Sequence, residues 1–339
     1  MTNRIVARAP GKLFVLGEYA VLDGCPAVVA AVDRFIEVTL AWTSGGGVTQ
    51  ITSGPQAARF ATAASPQETG PLRFVIAALR SALARCPELA NQTLTIDIVS
   101  HLAGHDGAKV GLGSSAAVTA GVTAALFAAA GRCITERGCR DRLFATALEA
   151  HRRVQGEAGS GADVAACIHG GLILFQPRDG LAEISPLTLP AGTRLLAAWT
   201  GESASTPELV KYYRACGNGH SGHRATFVEA SRTVIDEFVA ALAQRSLSPS
   251  AVLRNGVLLE RLAAELSLPL LTGRLQQLVE IARVHGAAAK ISGAGGGDCG
   301  IAFARDQAQA EEVRAAWSAA GLVPLDLNIC AQGVTVVRA

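Results

Sequence analysis

Lysine is the scarce cation of this sequence: of 30 basic residues only Lys12, Lys109, Lys211 and Lys290 are lysine, and the other 26 are arginine. An ammonium is a compact point charge that can enter a crowded phosphate site, whereas a guanidinium is a flat fork for bidentate contacts. Lys12 lies in Ala9-Pro10-Gly11-Lys12-Leu13-Phe14, followed by Gly17-Glu18-Tyr19. The segment reads either as a Pro-Gly turn with a solvated lysine or as a strand edge that aims Lys12 at an anion. Lys109 opens Lys109-Val110-Gly111-Leu112-Gly113-Ser114-Ser115-Ala116. A glycine-rich turn running straight into a helix offers unpaired N–H groups and the positive end of the helix dipole to phosphate. Ser114 and Ser115 either cap that helix or ligate a magnesium ion; no Gly-Lys-Ser/Thr closes the run, so it is not a Walker A loop. Lys290 precedes Ser292-Gly293-Ala294-Gly295-Gly296-Gly297-Asp298-Cys299-Gly300, where five of the eight residues from 293 are glycine. Such a density suits close backbone approach to a ligand. A fourth segment, Gln155 to Ala166, carries Asp163 after a Gly-Ser-Gly-Ala turn; by itself this reads as a carboxylate at a helix N-terminus.

These segments need elements to hold them. Alternation and β-branched content predict strands over 4–9, 12–16, 34–42 and 93–99, and helices over 71–85, 115–130 and 138–155. Residues 43–70, rich in Gly, Ser, Thr and Pro, read as a turn-rich excursion. The helix over 115–130 is apolar around most of its circumference and should be buried, with Ser114 or Ser115 at its start and Gly131 at its end. Past residue 190 the texture changes: a strand over 195–199, a helical run over 206–286, a strand after Gly300, a helix over 306–320 and closing strands near 323–329 and 333–338. Two units are expected, 1–188 and 189–339, divided where Pro177, Pro186, Pro190 and Gly192 cluster.

Composition narrows the class. The chain has 339 residues, 50% apolar, 17% charged and 5% aromatic, with a net charge of +2. That allows a large aliphatic core and gives no support to a nucleic-acid or membrane surface. Eight cysteines show no CxxC or Cys/His metal spacing, and no leader-like apolar block begins the chain, so a reducing, cytoplasmic setting is expected. Cys299 and the other cysteines read as small buried hydrophobes; His105, His151 and the remaining histidines read as surface or packing residues.

In order and separation, the three glycine-rich segments resemble the signature motifs of the GHMP kinases. The resemblance runs from Ala9 to Gly300. It implies the family's α/β (α+β) fold: an N-terminal ATP-binding domain, a ferredoxin-like C-terminal domain and an active site in the cleft between them. It also implies ATP and Mg²⁺, with nucleotide contacts from Lys109, Gly111, Leu112, Gly113, Ser114, Ser115 and Ala116. Ser115 matches the magnesium-ligating serine, and Lys12 and Asp163 the catalytic positions. Acceptor contacts fall on Lys12, Tyr19, Arg152, Ser160, Ser205, Lys211, Ser292, Gly293, Ala294 and Gly295. Small-molecule partners and a monomer or homodimer follow from the same likeness.

Within the family the sequence is more similar to phosphomevalonate kinases than to mevalonate kinases. Gly17-Glu18-Tyr19 replaces the Gly-Glu-His of the latter, Asp298 follows the third-motif glycines, and Thr200-Gly201-Glu202-Ser203-Ala204-Ser205-Thr206 resembles a phosphomevalonate kinase stretch. Mevalonate kinases place a magnesium-binding glutamate about eleven residues before the aspartate; here Ala150-His151-Arg152-Arg153 contains no acid, and Glu149 and Glu157 only flank it. A phosphate acceptor is dianionic near neutrality and needs cations more than a base. Lys211, Arg152 and Arg153 are therefore either acceptor ligands or members of a solvated helix face. The alternatives are a mevalonate kinase, a non-catalytic ligand sensor of this fold, and a decarboxylating relative, the last disfavoured by Lys12 and the third glycine run.

Overall fold

A computed structural model describes residues 3–338 apart from 65, 105–106, 157–158, 179–181 and 217–220; His105 and Glu157 lie outside the described residues. In the first half, strand β1 (Asn3–Leu16) pairs antiparallel along its length with β2 (Ala27–Ser44). The register slips between Pro10 and Gly11. This corrects the Pro-Gly turn: the pair sits inside β1 at an irregularity, a place that spares proline's missing N–H. The 43–70 excursion also contains a hairpin, β3 (Val48–Ser53) and β4 (Gln56–Ala61). β3 is an inner strand, parallel to β5 (Gln92–Ser100), and Ile51 is its buried anchor. Its Thr and Gln content hid it, since Thr49 satisfies its hydroxyl on Thr62 and so tolerates burial.

Strands β6 (Leu172–Gln176) and β7 (Glu183–Leu187) continue the sheet beside β2. Its helical cover is α1 (Arg73–Leu83), α2 (Ser114–Ala129), α3 (Arg137–Gln155) and α4 (Ala162–His169). α2 lies on β1 and β2 with α1 and α3 on its other side, which explains why it is apolar all round. Gly121 brings it close to the sheet, since a Cβ there would meet Val38 at 2.9 Å.

The second half builds an antiparallel sheet from β8 (Arg194–Trp199), β9 (Ala288–Ile291), β10 (Cys299–Ala304) and β11 (Val323–Leu325) in the order β11-β8-β10-β9. That is the ferredoxin-like order, as the resemblance implied. Its first crossover is expanded into α5 (Thr206–Ala215), α6 (Ser221–Ala243), α7 (Pro249–Leu266) and α8 (Gly273–Val284), and α9 (Gln307–Ala319) forms the second. Ser248, Thr272 and Asp306 cap α7, α8 and α9 through their side chains. The last strand, β12 (Thr335–Arg338), returns to pair with β1. Among the described residues no helix is long and apolar enough to cross a membrane.

The halves meet through buried polar contacts. Lys290 of β9 is 1% exposed and its ammonium is hydrogen-bonded to the Glu18 carboxylate and, at 2.6 Å, to the Ile291 carbonyl. Ser292 donates to Phe14 O (2.9 Å), and Tyr213 donates to Asp23, which also pairs with Arg224. Removing one partner of a buried pair strands the other charge, whereas removing both restores an apolar contact. Lys290→Met should therefore lower the unfolding free energy by about 3–5 kcal/mol, and the Glu18→Met/Lys290→Met double variant should recover most of it in urea denaturation. A double variant as unstable as the single would show that the two charges are not coupled.

Candidate active site

Lys12 stands just past the irregularity of β1. Its backbone N–H donates to Leu112 O (2.9 Å) and its ammonium to Gly111 O (3.2 Å), so the first and second motifs are laced together. The aliphatic stem of Lys12 lies on Gly113: a Cβ on Gly113 would meet Lys12 Cγ at 2.7 Å and Cε at 2.8 Å. Gly113 also has φ 79°, and it is the N-cap of α2. This corrects the expectation that Ser114 or Ser115 caps the helix: both lie inside its first turn, and neither hydroxyl bonds to the helix end.

Ser115 Oγ faces His151 Nε2 at 3.2 Å, and His151 Nε2 is 3.9 Å from Asp163 Oδ2. His151 is 1% exposed, is stacked on Phe74 with ring centroids 5.1 Å apart, and has no hydrogen-bond partner for Nδ1 among the described residues. Burial holds its imidazole below the ordinary range, and the nearby Asp163 charge only partly opposes that. His151 is thus a neutral ring packed between a hydroxyl and a carboxylate, in keeping with the packing role read from the sequence. A signal for it existed: Phe144, Ala147, Leu148 and His151 follow one another at i, i+3, i+4, i+7 on α3. Asp163 lies in the first turn of α4, behind Gly161 as N-cap, and accepts a hydrogen bond from Val164 N at 2.9 Å. The charges of Asp163 and Lys12 are both felt at the buried Cys167 thiol, on the next turn of α4.

The other sequence-derived residues separate into groups. Lys109 donates to Ala204 O (2.8 Å) and stands 3.6 Å from Asp298, whose other oxygen accepts from Ala204 N. Thr200 and Ser203 complete this knot through Asp298 O and Lys109 O. Tyr19 is buried, its phenol pushed up by burial, and donates to Ala294 O at 2.6 Å. Ser292 is likewise engaged with Phe14, and Ser160 accepts from Ala162 N (3.3 Å). Arg152 donates to Gly159 O (3.4 Å), whereas Arg153 pairs with Glu149 and Glu68 on the outer face of α3. Glu149 pairs with Arg85 and Arg153. Ser205 is the exposed N-cap of α5, and Lys211 is exposed on the same helix.

Most third-motif glycines answer to protein neighbours. A Cβ on Gly295 would meet Leu270 O at 2.5 Å, on Gly297 Glu202 O at 3.0 Å and on Gly300 Leu278 Cδ2 at 2.4 Å. Gly111 is filled the same way by Asp298, at 2.5 Å. Gly293 differs: at φ 83° it has nothing within 4 Å of its would-be Cβ, so its backbone faces open space. Protein neighbours thus exclude a side chain at Gly295, Gly297 and Gly300, while Gly293 has open space beside it.

A loop of backbone N–H groups at a helix start, one lysine across it and an aspartate at a second helix start together suit a polyphosphate. The sequence comparisons agree with this geometry. The GHMP kinases N terminal domain matches residues 73–171 and the GHMP kinases C terminal family residues 239–322. The chain is 35% identical to the phosphomevalonate kinase of Streptomyces sp. (strain CL190), over 97% of this chain and 98% of that protein. It is 28% identical to the mevalonate kinase of Aeropyrum pernix, over 88% of each. Among solved structures, the Lin0012 protein from Listeria innocua superposes with TM-score 0.89 at 27% identity over 99% of both chains. Streptococcus pneumoniae phosphomevalonate kinase in complex with phosphomevalonate and AMPPNP shares the fold, with TM-score 0.77 at 23% identity over 98% of this chain and 99% of that one. The chain belongs to the GHMP kinase family.

Gly113→Ala should displace Lys12 as well as strain the backbone. Gly131, with φ 73° and nothing within 4 Å, is the matched control, because Ala there carries the φ penalty alone. Both variants should lose about 1–2 kcal/mol of stability; only Gly113→Ala should lose most of its phosphotransfer rate, and equal rates would remove Lys12 from its place on Gly113.

Proposed function

We propose that the chain is a phosphomevalonate kinase of the mevalonate pathway, moving the γ-phosphoryl group of ATP onto the 5-phosphate of mevalonate 5-phosphate to give the 5-diphosphate and ADP. The observation that carries the reading is the corner at Ser115, where the neutral ring of His151 stands in place of a second acid. An alcohol acceptor must lose a proton as it attacks. A phosphomonoester, with its second pKa near 6, is already largely the dianion. A site short of acids and furnished with cations suits the second kind of acceptor. The full-length likeness to the Streptomyces phosphomevalonate kinase supports the same choice.

In this reading the bond from the γ-phosphorus to the ADP oxygen breaks as a bond to the acceptor phosphate oxygen forms. Each pair of unit like charges at about 4 Å opposes the approach by about 4 kcal/mol at an effective dielectric near 20. Lys12, pinned by Gly113 and Gly111 O, is placed to offset that repulsion; Arg152 and Lys211 offer further charge for the acceptor. The N–H groups from Gly111 to Ala116 hold the nucleotide phosphates. Ser115 and Asp163 supply a hydroxyl and a carboxylate, an all-oxygen pair that fits Mg²⁺. Bound there with nucleotide, the ion would neutralise phosphate charge. His151 orients Ser115 toward that position, and Asp163 acts as a positioning anion rather than a proton acceptor. Gly293 gives the third motif its open approach to the acceptor.

Assays with ATP, Mg²⁺ and either acceptor test the reading. Mevalonate 5-phosphate should turn over and mevalonate should not; the reverse would make the chain a mevalonate kinase, and ADP release with neither would make it a sensor. Lys12→Met should cut kcat by about 100- to 1,000-fold, with a far smaller rise in KM for ATP. A Lys12→Met enzyme with near-normal kcat would take Lys12 out of the chemistry.

A further inference from the structure

The turn before α3, at the far end of the helix from His151, brings three donors together: the Sγ atoms of Cys133 and Cys139 and a carboxylate oxygen of Glu136 all lie within 4.8 Å of one another. Cys133 and Glu136 are exposed and Cys139 is buried, so the group opens to solvent on one side only. Glu136 is the N-cap of α3, yet its side chain makes no capping hydrogen bond; its backbone carbonyl takes the N–H groups of Cys139 (3.0 Å) and Arg140 (2.9 Å). The carboxylate is thus turned toward the two sulfurs rather than toward the helix. The sequence spacing, Cys-x-x-Glu-x-x-Cys, matches no two-cysteine metal signature, and only the turn into the helix makes the three residues converge.

Beside the cluster, Cys133 Sγ stands 3.6 Å from Thr135 Oγ1. Arg142 donates to Cys139 Sγ at 3.3 Å. Two thiolates and a carboxylate are a three-ligand set for a borderline-soft divalent ion, with the open side left for water. The same set is a poor match for Mg²⁺, which demands oxygen in near-octahedral array.

We propose that Cys133, Glu136 and Cys139 form a binding site for a zinc-type divalent cation, separate from the phosphate site. From Cys139 to His151 the helix climbs roughly 18 Å at about 1.5 Å per residue, so the two sites are not one cluster. Binding takes both sulfurs as thiolates and therefore releases protons while oxidising nothing. The ion would pin the first turn of α3, where Arg140 also donates to the carbonyls of Ile168 and His169 at 3.1 and 3.0 Å and so holds the end of α4, the helix that carries Asp163.

The test is a Co²⁺ titration of the full-length, reduced protein, with Zn²⁺ as competitor. One equivalent should produce a thiolate-to-cobalt charge-transfer band with tetrahedral visible absorption, and one equivalent of Zn²⁺ should bleach it. Cys133→Ser should abolish the band; since Cys133 is exposed, this variant leaves the core intact. Cys139→Ser should abolish it too, and Glu136→Gln should weaken Co²⁺ binding about tenfold or more, by analogy with other losses at metal sites. Absence of the band, its persistence in Cys133→Ser, or unchanged affinity in Glu136→Gln would overturn the proposal. So would a protein that binds no Co²⁺ but forms a Cys133–Cys139 disulfide with peroxide on peptide mapping, because the pair would then be a redox couple rather than a metal site.

Discussion

The cleft of this kinase is organised around a positive charge that has been taken out of water. Lys290 and Glu18 come from different halves of the chain and meet with side-chain exposures of 0% and 2%. Burial lowers the Lys290 pKa while Glu18 pulls it back, so the ammonium keeps its partner only while the two halves stay in register. The consequences spread along the chain from both ends of the pair. Tyr19, next to Glu18, fastens Ala294 of the third motif, and Ser292, two residues beyond Lys290, fastens Phe14 of the first. The polar joint that closes the two units thus also sets the walls of the site.

Glycine has a matching role on the opposite wall. Where Lys12 crosses the second motif, the stem of the lysine occupies the space of a Gly113 side chain, and Asp298 occupies that of Gly111. Three loops from distant parts of the sequence can approach to van der Waals contact because one member of each contact lacks a Cβ. Asp298 itself adopts φ 55°, a conformation held by its bonds to Ala204 and Thr200. The Thr200–Thr206 stretch is therefore tied to the second motif through Lys109 and Asp298.

The four lysines divide by their contacts. Lys290 is a buried structural cation, Lys109 is exposed yet ties a knot with Ala204 and Asp298, Lys12 bridges the first and second motifs, and Lys211 stays exposed on α5. All four sit at motif boundaries, but a motif can need a positive charge for its own folding as much as for its ligand. The exposed face of α3 makes the same point with arginine: Arg153 joins a network with Glu149 and Glu68, while Arg152 on the neighbouring position turns toward Gly159.

The family, the long helices and the three loops were legible in the sequence, because hydrophobic period and glycine placement are local properties that survive without coordinates. Helix α2 announces its burial on every face, and the expected ends of α1 and α3 lie within two residues of those observed. The β3–β4 hairpin was not legible, because its polar residues hide the alternation: Thr49 is buried there only by pairing with Thr62, and Ile51 only by lying against β5. Nor were the neighbours of Ser115. His151 reads in the sequence as a surface or packing residue, and the packing of α3 against α2 and α4 places it between a hydroxyl and a carboxylate 36 and 12 residues away. Which lysine meets Glu18 and which a motif carbonyl, and which glycine faces open space and which a neighbouring backbone, depend on distances between segments far apart in the chain. Residue type and spacing determined that this is a kinase of the GHMP family; tertiary packing decided what each charged and each missing side chain is for, because charge and volume act through space and not along the sequence.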